Sequence, residues 1–129
     1  MTDLHTHILP GIDDGSRTVD ESISLLKAEL ESGVHTVALT PHFRSNTMAQ
    51  SEFLKQRESA YEQLLEAVRQ NGLRISFVLG AEVEFSPELL RLDLDSLCYE
   101  DTKTLLVELP MFHYNPFTCD VFYKLLLKG

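Results

Sequence analysis

Two histidines stand two residues apart at the start of the chain, in Asp3-Leu4-His5-Thr6-His7, and further candidate ligands recur at intervals beyond them. Asp13 and Asp14 lie in the loop that follows, His42 in Thr40-Pro41-His42, Glu82 in Gly80-Ala81-Glu82, and Glu108 in Leu106-Val107-Glu108-Leu109. Imidazoles mixed with carboxylates suit Zn, Mn or Fe better than an all-oxygen cation such as Ca. Each residue has an ordinary explanation when taken singly. A His-x-His pair is common, an Asp-Asp-Gly run is most often a turn, and a glutamate after a strand is most often a loop carboxylate or a helix cap. Glu108 is harder to dismiss because it interrupts the apolar run Leu105 to Leu109, where a carboxylate must be paired, coordinated or at a strand exit. The ordinary explanations do not predict the same pattern at four successive positions.

The elements that must carry these residues alternate between strands and helices, with no repeat or low-complexity segment. Residues 2–5 form a short strand, followed by a turn-rich loop from Ile8 to Ser16. Thr18-Val19-Asp20-Glu21 is a capping box. It opens a helix with Ile23, Leu26, Leu30 and Val34 at helical spacing and Gly33 near its end. Thr36 to Thr40 reads as a buried strand closed by Pro41. Residues 51–71 read as a second helix, with Leu54, Tyr61, Leu64, Leu65 and Val68 inward and Gly72 at its end. A third strand runs from Leu73 to Leu79. Ser86-Pro87-Glu88 opens a short helix with proline at its first position, and Thr104 to Leu109 is a fourth strand. Asn115-Pro116 caps a last helix bearing Phe117, Val121, Phe122, Leu125 and Leu126.

Apolar strands separated by helices predict an α/β fold, a parallel sheet covered by helices, built either as a barrel or as an open doubly wound sheet. In both, ligands bind beyond the carboxyl ends of the strands, and that is where His5, His7, His42, Glu82 and Glu108 fall. Parallel neighbours lie about 4.8 Å apart, so these side chains can converge on one cluster of ions. Arg44, just after His42, is a candidate to hold a phosphate oxygen. His35 precedes the second strand, at the end away from the site, and reads as structural. His113 follows the fourth strand on the site's side and reads as a loop histidine, with substrate contact as the alternative. Asp93-Leu94-Asp95 reads as a solvated face.

The bulk numbers narrow the function further. With 129 residues, 43% of them hydrophobic and 24% charged, the chain has room for one modest globular domain. A net charge of -9 argues against nonspecific nucleic-acid binding. It suits an anionic phosphate substrate only if bound cations dominate the local field. There is no apolar run long enough to cross a membrane and no signal-peptide pattern, so a cytoplasmic protein is expected. Cys98 and Cys119 form neither a CxxC pair nor a CxxxxxR segment, and they read as buried structural thiols rather than nucleophiles. A glycine-rich phosphate loop of the GxxxxGK type is missing too.

The run from Asp3 to Gly15, Asp-Leu-His-Thr-His-Ile-Leu-Pro-Gly-Ile-Asp-Asp-Gly, resembles the opening of the PHP (polymerase and histidinol phosphatase) superfamily. It is most similar to the manganese-dependent protein tyrosine phosphatases of bacterial capsule and exopolysaccharide loci. Thr40-Pro41-His42, Gly80-Ala81-Glu82-Val83 and Leu106-Val107-Glu108-Leu109-Pro110 match the next motifs in order, so the resemblance covers the whole chain. It implies that residues 1–129 are the N-terminal part of one PHP domain, a distorted TIM-like (βα)7 barrel holding up to three ions, Mn foremost with Zn or Fe as alternatives. His5, His7 and Glu82 would hold the first ion, Glu82 and Glu108 the second, and Asp14 and His42 the third, with Asp14 and Arg44 serving the chemistry. The implied reaction is attack of a metal-activated water on phosphotyrosine in the tail of a bacterial tyrosine kinase that regulates polysaccharide export.

The same resemblance implies later segments with His-Pro-Glu-Arg and Asp-x-His that this chain does not contain, so the chain is expected to be truncated. Four strands cannot close a barrel, which leaves open edges and an apolar face that self-association would cover. Where some relatives have a second histidine after the one matched by His42, this chain has Phe43. Two other functions fit less well: another PHP phosphoesterase such as a histidinol-phosphate phosphatase, or an inactive metal-binding fragment.

Overall fold

A computed structural model of the chain describes residues 1–111 and 116–128. The first helix, α1 (Val19–Glu31), follows strand β1 (Thr2–Thr6) and the long loop. Its N-terminus is closed much as the sequence predicts. The Thr18 hydroxyl accepts from the Glu21 backbone N–H. The Glu21 carboxylate, however, takes the N–H of Arg17 at 2.7 Å, one residue earlier than in a standard capping box. At the other end Gly33 adopts φ 82°, and Val34 donates back to the Glu29 carbonyl, so the helix stops where a left-handed residue becomes available.

The expected second and third strands are each followed by a further short strand that was not expected. Thr36 to Thr40 becomes β2 (Thr36–Leu39), and beyond Thr40-Pro41 lies β3 (His42–Phe43). After α2 (Gln50–Gln70), the third becomes β4 (Ser76–Leu79) and, beyond Gly80-Ala81, β5 (Glu82–Glu84). The short helix expected at Ser86 is a 3-10 turn, Pro87–Arg91, and the fourth strand is β6 (Leu106–Glu108). Helix α3 (Pro116–Leu127) ends the described chain; the expected cap at Asn115 lies outside the described residues. β1, β2 and β4 form one parallel sheet and β3, β5 and β6 a second. Pro41 has no N–H to give a ladder, which accounts for a break there. Backbone bonds from Thr40 to Thr6, Gly80 to Leu39 and Glu82 to Pro41 carry the pairing across both breaks. The strand order across the two sheets therefore follows the chain.

Two apolar clusters hold this frame. Ile23 and Leu26 of α1 meet Ala60, Leu64, Ala67 and Val68 of α2 over Val37 and Leu39. Phe43, Phe53, Ala81, Val83, Leu89 and Leu97 form the second cluster, behind the second sheet, and Ile12 packs against both. Leu65, expected inward, is 40% exposed. The buried stripe of α2 runs through Phe53, Ala60, Leu64 and Ala67, and Leu65 sits about 100° round the helix from Leu64. On α3 only Thr118 and Val121 are buried, while Phe117 and Leu126 lie open, so the exposed apolar face expected from the sequence falls there.

Arg57 of α2 clamps the break between β4 and β5. It donates to the Gly80 carbonyl at 2.8 Å and to the Ser96 carbonyl at 3.1 Å, with its guanidinium 5.7 Å from the Phe53 ring centre. Hydrogen bonds to a charged group contribute about 1.5–3 kcal/mol, so Arg57→Ala is expected to lower the unfolding free energy by roughly that amount. Urea denaturation measures it, and an unchanged midpoint would show that the clamp is idle.

Candidate metal centre

The strand ends and breaks bring the predicted ligands together. Thr6 and Thr40 lace the end of β1 to the end of β2. The Thr6 N–H donates to the Thr40 hydroxyl at 3.0 Å, which donates to the Thr6 carbonyl at 3.1 Å. His5 and His7, on either side of Thr6, are thereby held beside His42. Parallel pairing then sets His42 opposite Glu82 in the β3–β5 register, and Glu84 opposite Glu108 in β5–β6. Breaking the strands at 40–41 and 80–81 places His42 and Glu82 at the start of the second sheet, rather than beyond the end of the first.

Three groups of donors result: His5, His7 and Glu82; His7, Asp14 and His42; and His42, Glu82 and Glu108, with ligand atoms within 4.8 Å of one another in each. In the first, the Glu82 Oε2 lies 3.0 Å from His5 Nε2 and 3.2 Å from His7 Nε2, and the two imidazole nitrogens are 3.2 Å apart. Donors bound about 2.0–2.2 Å from one ion sit roughly 3.0–3.4 Å from each other, so this triangle has the edges of a coordination shell. His42 faces two groups, one nitrogen to each. Its Nε2 is 3.4 Å from Asp14, and its Nδ1 is 3.3 Å from Glu82 Oε2 and 3.4 Å from Glu108 Oε2. A neutral imidazole has a single lone pair, so it can bond only one ion at a time. From the sequence, His42 was expected beside Asp14 alone.

The strongest sign that the site is built for cations is what its buried polar atoms lack. His42 Nδ1 and Glu108 Oε2 are buried and have no hydrogen-bond partner among the described residues, although they face each other across 3.4 Å. A buried acceptor left without a partner costs about 1–3 kcal/mol, and more when charged. An ion held by Glu82 and Glu108 would satisfy the Glu108 oxygen and offset the local excess of carboxylates, and with His42 Nε2 directed at Asp14 the imidazole proton sits on Nδ1, facing Glu82 and Glu108.

Asp13 has a different part from Asp14. Its side chain is 5% exposed, against 80% for Asp14. It accepts from His7 Nδ1 at 2.8 Å, from the His42 backbone N–H at 3.0 Å and from the Gly15 N–H at 2.9 Å. Burial alone would raise the Asp13 carboxyl, but the bonds from His7, Gly15 and His42 outweigh it and hold the group below the usual carboxylate range. An ionised Asp13 only accepts, so His7 carries its proton on Nδ1 and keeps the lone pair of Nε2 for the group with His5 and Glu82. Asparagine would turn an NH2 toward one of these donors. Asp13→Asn is therefore expected to weaken metal binding about 10–100-fold, read by calorimetric titration with Mn.

The other predicted residues are accounted for as follows. Arg44 stands just past β3, half-exposed, with Nε 3.4 Å from Glu84. The pairing with Glu84 had no signal in the sequence. His35 bonds through its backbone to Met1 and Ser76 at the opposite end of the sheet, in keeping with a structural residue. His113 lies outside the described residues. Both cysteines are free, and burial pushes the Cys98 thiol up, which suits a structural thiol. Cys119 is exposed rather than buried as expected.

With this geometry in place, residues 1–129 match in full the family described as capsular polysaccharide synthesis, CpsB/CapC. The chain belongs to the CpsB/CapC family. It is 34% identical to the tyrosine-protein phosphatase YwqE of Bacillus subtilis, over all of this chain and 51% of that protein. It is 24% identical to the putative tyrosine-protein phosphatase CapC of Staphylococcus aureus, again over all of this chain and 51% of that protein. This CpsB/CapC chain thus spans about half the length of the curated relatives it matches. In three dimensions it superposes on a chain from the crystal structures of YwqE from Bacillus subtilis and CpsB from Streptococcus pneumoniae, described as unique metal-dependent tyrosine phosphatases. The TM-score is 0.84 at 30% identity, covering all of this chain and 52% of that one. The mixed fold of parallel strands and helices is shared with that structure.

Proposed function

We propose that residues 1–129 are the N-terminal part of a PHP domain, a TIM-like barrel, in a metal-dependent protein tyrosine phosphatase. The observation that carries this reading is the convergence of His5, His7, Asp14, His42, Glu82 and Glu108, with His42 Nδ1 and Glu108 Oε2 left unpaired among the described residues. The names of the relatives support the same activity. His5, His7 and Glu82 hold one ion, Glu82 and Glu108 a second, and Asp14 with His42 a third. Mn is the metal that the family resemblance implies, and the mixed nitrogen and oxygen donor set suits Zn or Fe as well.

When bound, such ions polarise a phosphoryl oxygen and lower the pKa of water. The chain's own residues do the positioning. Asp13 fixes the His7 tautomer, the Thr6–Thr40 bonds fix the spacing of the histidines, and Arg44 waits beside Glu84 to take a phosphate oxygen. The substrate we assign is phosphotyrosine on the tail of a tyrosine kinase that controls capsule or exopolysaccharide synthesis, met in the cytoplasm. No helix among the described residues is long and apolar enough to cross a membrane.

The test is hydrolysis of a phosphotyrosine peptide and of histidinol phosphate by the whole gene product carrying these residues, with and without added Mn. Mn-dependent release of phosphate from the peptide in preference to histidinol phosphate is the expected result. The reverse preference would assign the histidinol-phosphatase branch, and bound metal without turnover of either would overturn the phosphatase.

A further inference from the structure

We propose that Tyr99 is a positioning residue for the metal centre: its hydroxyl donates to the Leu4 carbonyl and so holds the irregular stretch of β1 from which His5 reaches Glu82. The proposal rests on the metal-centre reading and extends it to a residue that is not itself a ligand.

β1 is irregular where it carries His5. From Asp3 to Thr6 it advances three residues while β2 advances two, from Val37 to Leu39, and neither Leu4 nor His5 has a partner in the register. An extra residue of this kind re-aims a side chain and disrupts the ladder locally. Here side chains take the ladder's place. The Leu4 carbonyl accepts from the Tyr99 hydroxyl at 2.8 Å, and the His5 N–H donates to the Asp3 carboxylate at 3.0 Å. These two groups are the polar ends of one peptide unit. The unit is planar and includes the His5 Cα, so holding both ends places that atom. Packing contributes less, because the His5 side chain is 46% exposed, against 26% for His7 and 15% for His42.

Tyr99 is itself firmly held. Its N–H donates to the Thr104 carbonyl at 3.0 Å, and its carbonyl accepts the Thr102 N–H at 3.0 Å and the Thr102 hydroxyl at 2.8 Å. The next residue, Glu100, donates to the Leu79 carbonyl at the end of β4 at 2.8 Å, and Asp101, at φ 60°, lies within this turn. From the end of β4 the ring passes over Gly80 and Thr40 to reach β1. A Cβ at position 80 would stand 3.2 Å from the ring's Cδ1 and 3.4 Å from the Thr40 methyl, so glycine there leaves the ring its path. β1 and β4 are not neighbours in the sheet, since β2 lies between them, and this phenol links the two directly. Burial and then the Glu82 charge push the Tyr99 hydroxyl up, which keeps it protonated as a donor.

The test is calorimetric titration of the metal-free whole gene product with Mn. Tyr99→Phe keeps the ring over Gly80 and removes only the hydroxyl. It is expected to weaken Mn binding about tenfold, the low end of the range for loss of an outer partner, because water reaches the exposed Leu4 carbonyl. In a His5→Ala background, itself expected to bind Mn more weakly, the same substitution should change the affinity by less than about twofold. A general loosening of the fold would weaken binding equally with and without His5. Undiminished Mn affinity in Tyr99→Phe, or an equal loss in both backgrounds, overturns the positioning role and leaves the metal centre standing. Wild-type Mn affinity in His5→Ala overturns the metal-centre reading and the role of Tyr99 with it.

Discussion

Glu82→Gln is expected to weaken Mn binding by at least about a hundredfold and to abolish turnover at limiting metal. The reason lies in a single oxygen. Glu82 Oε2 is 3.0 Å from His5 Nε2, 3.2 Å from His7 Nε2 and 3.3 Å from His42 Nδ1, on a side chain only 11% exposed. It is common to two of the three donor groups, so its loss damages two sites together. Substituting a residue that merely orients a metal ligand typically costs 10–100-fold in affinity, and a direct, shared ligand belongs at or beyond the upper end of about 100-fold. Glutamine keeps the size and removes the charge, which separates ligation from packing. Calorimetry with Mn reads the affinity, and urea denaturation of the metal-free protein serves as control. There the variant should be no less stable than wild type, because the excess of buried negative charge has been relieved. Undiminished Mn affinity and turnover in Glu82→Gln would refute the metal centre.

Gly15→Ala is the second large effect, and it arises from backbone geometry alone. A Cβ on Gly15 would stand 2.2 Å from the His7 carbonyl oxygen and 2.4 Å from the His7 Cβ. Neither can be relieved by turning a side chain, so the two segments must part. Parting them breaks the Ser16 N–H bond to the His7 carbonyl at 2.9 Å and the Gly15 N–H bond to Asp13. Asp13 is then drawn away from His7 Nδ1, and the imidazole loses the partner that sets its tautomer. Overpacking alone costs about 1–3 kcal/mol. With the lost hydrogen bonds added, a destabilisation above about 3 kcal/mol is expected, together with weakened Mn binding. The urea midpoint and Mn titration check both. A variant with wild-type stability and affinity would mean that the loop does not lie against His7.

Much of this was legible from local patterns. Thr18 and Gly33 mark the ends of α1 because capping chemistry and left-handed conformations depend on a few neighbouring residues. The gathering of His5, His7, His42, Glu82 and Glu108 around strand termini follows from apolar runs and turn formers near each, although His42 and Glu82 open β3 and β5 rather than trailing the strands before them. Leu65 was misread because a leucine adjacent to Leu64 cannot be assigned to one edge of an apolar stripe until the helix has a partner.

The renewed pairing beyond Thr40-Pro41 and Gly80-Ala81, as β3 and β5, was not legible, nor was the facing of His42 by both Asp14 and Glu108. Arg57 looked like any helix arginine, and Asp13 like half of an acidic pair in a turn. Residue type and spacing along the chain marked the candidate cation ligands and the end of the sheet expected to present them, since periodicity and turn chemistry act over a few residues. Only the folded chain decided which nitrogen meets which oxygen, which aspartate is buried and why position 15 must be glycine. Those outcomes depend on register and ångström-scale approach between segments tens of residues apart, and side-chain packing sets them only after the whole assembly has closed.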